Sequence, residues 1–75
     1  MNRVRRDQLR AAYGRLKNCI EDLCYIRDEE ENALDNVPEN LQGSDATEQM
    51  EEAVNNIDDA IECIDEALNY LDEVI

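Results

Sequence analysis

From Met50 to Ile75 apolar residues fall at intervals of three and four, and the chain repeats itself every seven residues. In register it reads Ala53-Val54-Asn55-Asn56-Ile57-Asp58-Asp59, then Ala60-Ile61-Glu62-Cys63-Ile64-Asp65-Glu66 and Ala67-Leu68-Asn69-Tyr70-Leu71-Asp72-Glu73, with Val74-Ile75 opening another unit. Taking Met50, Ile57, Ile64 and Leu71 as position a, position d holds Ala53, Ala60, Ala67 and Val74. Position e holds Val54, Ile61, Leu68 and Ile75. This spacing predicts a helix whose apolar stripe is wider than a bare a/d seam, as in helices of bundles. Ala at nearly every d position would let a neighbouring helix approach closely.

The first half of the chain has the same frame with one fault. Its a positions are Leu9, Leu16, Leu23, Glu30 and Val37; its d positions are Ala12, Cys19, Ile26 and Ala33; its e positions are Tyr13, Ile20, Arg27 and Leu34. Between the two halves lies the one clear break, Val37-Pro38-Glu39-Asn40-Leu41-Gln42-Gly43-Ser44-Asp45. Pro38 disfavours helical geometry in the residue before it, so a first helix of about residues 4–36 should end near Asn36. Ser44 or Asp45 is a good N-cap for a second helix of about 45–75, and Asp45 with Glu48 resembles a capping box. The expected fold is all-α: one domain over 1–75, an antiparallel two-helix hairpin with connector 37–44.

A single hairpin has one interface, and three apolar positions per heptad exceed it. Leu9, Leu16, Ile20, Leu23, Ile26, Met50, Val54, Ile57, Ile61, Ile64, Leu68 and Leu71 are therefore assigned to the core of the hairpin or of a dimer. Self-association into an antiparallel four-helix bundle is the expected remedy for so small a core. The competing reading gives the spare apolar surface to a different protein.

Charge changes this picture next. The chain has 20 acids against 7 bases, a net charge of −13. Residues 1–17 contain six bases (Arg3, Arg5, Arg6, Arg10, Arg15, Lys17) and one acid, a net +5, while residues 18–75 contain 19 acids and one base, a net −18. In a hairpin the basic start of the first helix lies beside the acidic end of the second, and the two neutralise one another in part. The alternative use of the basic arm 3–17 is contact with nucleic acid or an acidic partner. The second helix has 11 acids and no base from Asp45 to Ile75. Pairs recur at b and c: Glu51-Glu52, Asp58-Asp59, Asp65-Glu66 and Asp72-Glu73, with Glu62 between them. Solubility alone would be served by mixing Lys with Glu, since like charges at i,i+4 cost a few tenths of a kcal/mol each. A rod with a carboxylate pair every ~10.5 Å of rise can face a basic protein such as a nuclease, although this spacing does not follow phosphate periodicity in detail. The bland reading is a solvated outer face.

Two residues interrupt the stripe and others place apolar groups outside it or at its margin. Arg27 at e and Glu30 at a stand three apart where apolar residues are due, so an ion pair between them is available. A polar pair of this kind can fix register and oligomer state, or it can form a notch for a partner's side chain. Cys24 and Tyr25 are expected to point outward, and an exposed Tyr suits a partner contact. Tyr70 and Cys63 fall at the margin of the second stripe.

Several function classes are excluded or weakened. The chain has no His, which removes Ser-His and Cys-His nucleophiles and His-ligated metal sites. Glu62-x-x-Asp65 and Glu48-x-x-Glu51 share spacing with Mg²⁺-binding motifs of all-α pyrophosphohydrolases, but so acidic a helix produces such spacings by chance. Asp28-x-Glu30-x-Asn32 has EF-hand spacing with Ala33 where Gly is required. Cys19, Cys24 and Cys63 lack metal-site spacing and a fourth ligand. No enzyme activity, cofactor or metal is expected. An odd number of Cys, with no secretory signal and no apolar run of about 18 residues, points to reduced thiols and a cytoplasmic protein that does not contact membrane.

The stretch Asp28-Glu29-Glu30-Glu31, then Asp35-Asn36-Val37-Pro38-Glu39-Asn40-Leu41-Gln42-Gly43-Ser44 and Met50-Glu51-Glu52-Ala53 with the following heptads, resembles small acidic helical-hairpin proteins encoded in phages, prophages and other mobile elements of Gram-positive gut bacteria. The resemblance spans about residues 19–75, with the Asn-Val-Pro-Glu-Asn-Leu-Gln connector as its most specific part. It implies a phage context and carries no functional residue across. With the charge pattern, it leads to an expected role as a phage-type inhibitor of a basic, nucleic-acid-binding host or defence protein, of the anti-CRISPR or anti-restriction kind. The alternative is a structural or adaptor protein of phage replication or assembly.

Overall fold

The computed structural model describes all 75 residues. Helix α1 runs from Arg3 to Asp35 and helix α2 from Asp45 to Asp72, and they fold back on one another as an antiparallel hairpin. The molecule is a rod of 60 × 15 × 12 Å. The helices match in length because 33 and 28 residues at about 1.5 Å each span similar distances.

The ends of the helices are set by local chemistry. Asn2 caps α1, its side chain accepting from the Arg5 N–H at 2.9 Å. The chain leaves α1 at Asn36, Pro38 starts a single 3-10 turn at Glu39–Leu41, and Gly43 turns the backbone with φ +83. Ser44 caps α2 by accepting from the Thr47 N–H at 3.3 Å. The capping box expected of Asp45 and Glu48 does not form; both acids sit in the first turn, where they favour the positive end of the helix. The Thr47 hydroxyl donates to the Leu41 carbonyl at 3.0 Å and tethers α2 to the connector. Thr47 is buried, and this bond satisfies its polar group there. Helix α2 stops at Asp72, three residues short of the expected end, and Val74 and Ile75 turn back on Leu71.

Three cross-hairpin contacts define one register: Arg10 donates to the Ile75 carbonyl, Tyr13 to Asp72 and Arg27 to Asp58. The same register sets Asp22 level with Cys63. The seam differs from the expected one. Val54, Ile61 and Leu68, all at e, are the buried apolar residues. The a row, Met50, Ile57, Ile64 and Leu71, is half-buried, while Ala60, Ala67 and Val74 at d are exposed. On α1 the positions turned inward are likewise a and e: Leu9, Tyr13, Leu16, Ile20, Leu23, Arg27, Glu30 and Leu34 are half-buried. Ile26, assigned to the core or the dimer, is 50% exposed. Position d therefore flanks the seam, where only Ala12 and Ala53 are half-buried.

At 100° per residue, d lies on one flank of the a/e seam and b on the other. Antiparallel neighbours are related by a local twofold perpendicular to the plane of the hairpin, so like positions of the two helices share a face. One face carries Ala12, Cys19, Ile26 and Ala33 with Ala53, Ala60, Ala67 and Val74, none of them charged. The opposite face carries Arg10, Lys17, Cys24 and Glu31 with Glu51, Asp58, Asp65 and Asp72.

Candidate protein-interaction surfaces

The acidic residues of α2 are displayed by helical periodicity alone. With a and e turned to α1, positions b, c and f point away or to the charged flank. Glu51, Glu52, Asp59, Glu62, Asp65, Glu66, Asp72 and Glu73 are exposed, and Asp58 is half-buried. Two of these carboxylates are engaged inside the hairpin. Asp58 accepts from Arg27 Nη1 at 2.9 Å, and Asp72 accepts from the Tyr13 hydroxyl at 3.2 Å. The other seven form no ion pair and keep their charge available along one side of the rod. No three carboxylates or thiols group to hold a metal ion. A shallow depression over the first turns of α2, between Asp45, Glu48, Gln49, Glu51, Glu52 and Asn55, is open to solvent and has no apolar wall.

Arg27 is held from two sides. Its Nη1 donates to Asp58 across the hairpin, and its Nε and Nη2 donate to Asp28 at 3.2 and 3.0 Å. These hydrogen bonds, Asp58's first and Asp28's second, raise the guanidinium pKa against the effect of desolvation. The ion pair expected between Arg27 and Glu30 is not formed. Arg27 reaches across to α2 instead, and Glu30 is half-buried on the seam with no cation. The two residues therefore do not make a joint notch.

Cys24 and Tyr25 separate. Cys24 at b is half-buried against the hairpin flank rather than pointing outward, while Tyr25 at c is 65% exposed. The Glu29 carboxylate, one turn on, raises the Tyr25 pKa, by hydrogen bonding first and by its charge second. Tyr70 is 74% exposed, and Cys19 and Cys63 are exposed thiols.

Tyr13 is a contact that the heptad frame treats only as an apolar filler. Desolvation first, then the charge and hydrogen bond of Asp72 and the charge of Asp65, push its pKa up. The signal available in sequence was an amphipathic Tyr on the seam facing a helix end rich in acids. At the basic arm, Arg10 reaches Asp7 at 3.1 Å and the Ile75 carbonyl at 3.3 Å. Lys17 lies 5.8 Å from the Tyr13 ring centre, within cation–π range. Arg5, Arg6 and Arg15 form no ion pair. No helix is long and apolar enough to cross a membrane. Comparison with family models, curated proteins and solved structures finds no match to the chain.

Proposed function

We propose that the chain is a non-enzymatic acidic interaction module that binds the basic surface of a nucleic-acid-binding protein and so blocks it. In its concrete form it is a phage-type inhibitor of the anti-CRISPR or anti-restriction kind, aimed at a nuclease. The observation that carries this reading is the uncompensated side of α2. Its acids recur at b and c for four heptads, and all but Asp58 and Asp72 are free of partners. Such a surface speeds encounter with a basic target and makes binding sensitive to salt. A rigid helix holds the carboxylates in fixed array, which lowers the ordering cost of association.

The second reading is an adaptor in phage replication or assembly that works through bundle formation. The exposed Ile26, Val74 and Tyr25 favour it. In that case the acids serve only to keep the rod in solution.

The test is capture from bacterial lysate on the immobilised chain, eluted by a salt gradient with and without competing DNA. The inhibitor reading expects a nucleic-acid-binding protein that raised salt releases and DNA displaces. It also expects loss of that capture when Asp59, Asp65 and Glu66 are changed to Lys, three exposed acids that take no part in the hairpin's own ion pairs. A salt-resistant partner without a basic face, lost on Tyr25→Ala and indifferent to the reversals, favours the adaptor.

A further inference from the structure

The uncharged face of the hairpin is uncovered. Ile26 is 50% and Val74 39% exposed there. In α2 the e row is buried by α1, whereas the a row, one step nearer this face, is half-buried at Met50, Ile57, Ile64 and Leu71 alike. Seen down α2, the direction of α1 lies between a and e, and d lies about 80° round from it. A helix in a four-helix bundle has two neighbours at about a right angle to each other. Here one of those directions is filled and the other, also free of charge, is not.

We propose that a second copy of the chain occupies this face, with the connectors at opposite ends of the rod. In that arrangement α1 packs antiparallel on α1 of the other copy and α2 on α2. The charge pattern of α1 selects both the occupant and the direction. Residues 3–17 hold six bases and one acid, and residues 27–41 hold six acids and one base. Turned end for end about the middle of its apolar row, near Asp22 and Leu23, α1 sets each half against opposite charge on the other copy. Arg15, which has no ion pair in the hairpin, comes level with Glu29 and Glu30, which have none either. The row of α2 on this face, Ala53 to Val74, has its midpoint between Cys63 and Ile64, and Cys63 is level with Asp22. One twofold axis therefore serves both helices, as a closed isologous dimer requires.

The arrangement leaves the acids at b and c of α2 on the outside, so it is independent of what that surface binds. Asp22 meets its own counterpart near the axis, but at a g position on the solvated rim, where the repulsion is screened. With the connectors at the same end, α1 would instead lie over α2 of the other copy. Arg15 would then come level with Tyr70, and α2 has no charged group at g, so the polarity of α1 would go unused. Burial also favours a second copy: Val54, Ile61 and Leu68 are the only buried apolar residues of 75, too little core for a domain of this size on its own.

The test has two parts. Sedimentation should find a dimer across the micromolar range. In a chain with Cys19, Cys24 and Cys63 replaced by Ser, Ala60→Cys combined with Ala67→Cys should oxidise readily to a covalent dimer, because an axis level with Cys63 sets residue 60 of each copy opposite residue 67 of the other, within disulfide reach. Arg15→Glu and Glu29→Arg should each weaken the dimer about threefold to tenfold, and the double variant should restore it. That rescue reads only contact between copies, since 14 residues on one helix span about 21 Å. A chain that stays monomeric overturns the proposal. So does a dimer in which the variant carrying both Ala60→Cys and Ala67→Cys fails to cross-link and the charge swap fails to rescue.

Discussion

Arg27 occupies an e position between two apolar turns, and what it does there follows from the shape of its side chain. The residue is half-buried on the seam while its guanidinium reaches Asp58 and Asp28, as expected of long cationic side chains, which cover apolar surface and keep their charge wet. Arg27→Ala should lower the thermal midpoint. Adding Asp58→Asn to that variant should cost nothing more, since the partner is already lost; additive losses in circular-dichroism melts would show that the bridge does not form. Tyr13 supplies a pH dependence of known sign. Its phenol and that of Tyr25 have pKa values raised above 10.0 in the folded chain. The folded state thus holds these protons more tightly than the unfolded state. Their contribution is fully present below pH 10 and is lost as pH rises through the folded values. Melts between pH 8 and 11 should show a fall in stability above pH 10, and Tyr13→Phe should make that fall shallower. An unchanged alkaline limb in Tyr13→Phe would assign the loss to other groups.

Within the elements, the turn between α1 and α2 rests on a few residues whose roles can be separated. Gly43 has φ +83 with open space around its missing side chain, so the cost of Gly43→Ala is conformational, about 1 kcal/mol. Asn at this position should recover part of it. Thr47→Val keeps the buried shape and removes the hydroxyl that bonds the Leu41 carbonyl, which should cost about 1 kcal/mol in chemical denaturation. No loss in either variant would mean that the connector does not hold α2 in place. The connector and both helices were legible in the sequence, because Pro38, Gly43 and Ser44 act locally and the heptads run long enough to define a period. The seam was not. Three apolar positions per heptad put its centre anywhere between d and e, and only the neighbouring helix decides which pair it covers. The same limit applies to Arg27. Sequence spacing offered Glu30 on the same face, but a carboxylate on α2 lies within reach only once the hairpin register is set. The exposed acids of α2 were legible as a set, whereas the internal engagement of Asp58 and Asp72 depends on that register too.

For the whole molecule, the balance of charge should act on folding and on the proposed binding of a basic protein in opposite directions. A chain of net charge −13 repels itself in any compact form. The hairpin answers only at one end, where the basic arm of α1 lies beside the acidic end of α2. Toward the connector there is no such compensation: Asp28, Glu29, Glu30, Glu31 and Asp35 lie on α1 and Asp45, Glu48, Glu51 and Glu52 on α2, with Arg27 the nearest base. Salt should therefore stabilise the fold, since the Debye length shrinks from about 10 Å at 0.1 M to about 3 Å at 1 M and screens the repulsion. The same screening should weaken attachment of a basic protein to α2, because that attraction acts between exposed charges. Raising NaCl from 0.1 to 1 M should thus lift the melting midpoint while it lowers affinity for the captured partner. Both readings come from one protein sample, by circular dichroism and by titration calorimetry. A midpoint that rises together with undiminished affinity would place the binding energy on the apolar face and make the acids a device for solubility. A midpoint that falls would mean that the pairing of the basic arm with the end of α2, rather than repulsion toward the connector, dominates the electrostatics of the fold.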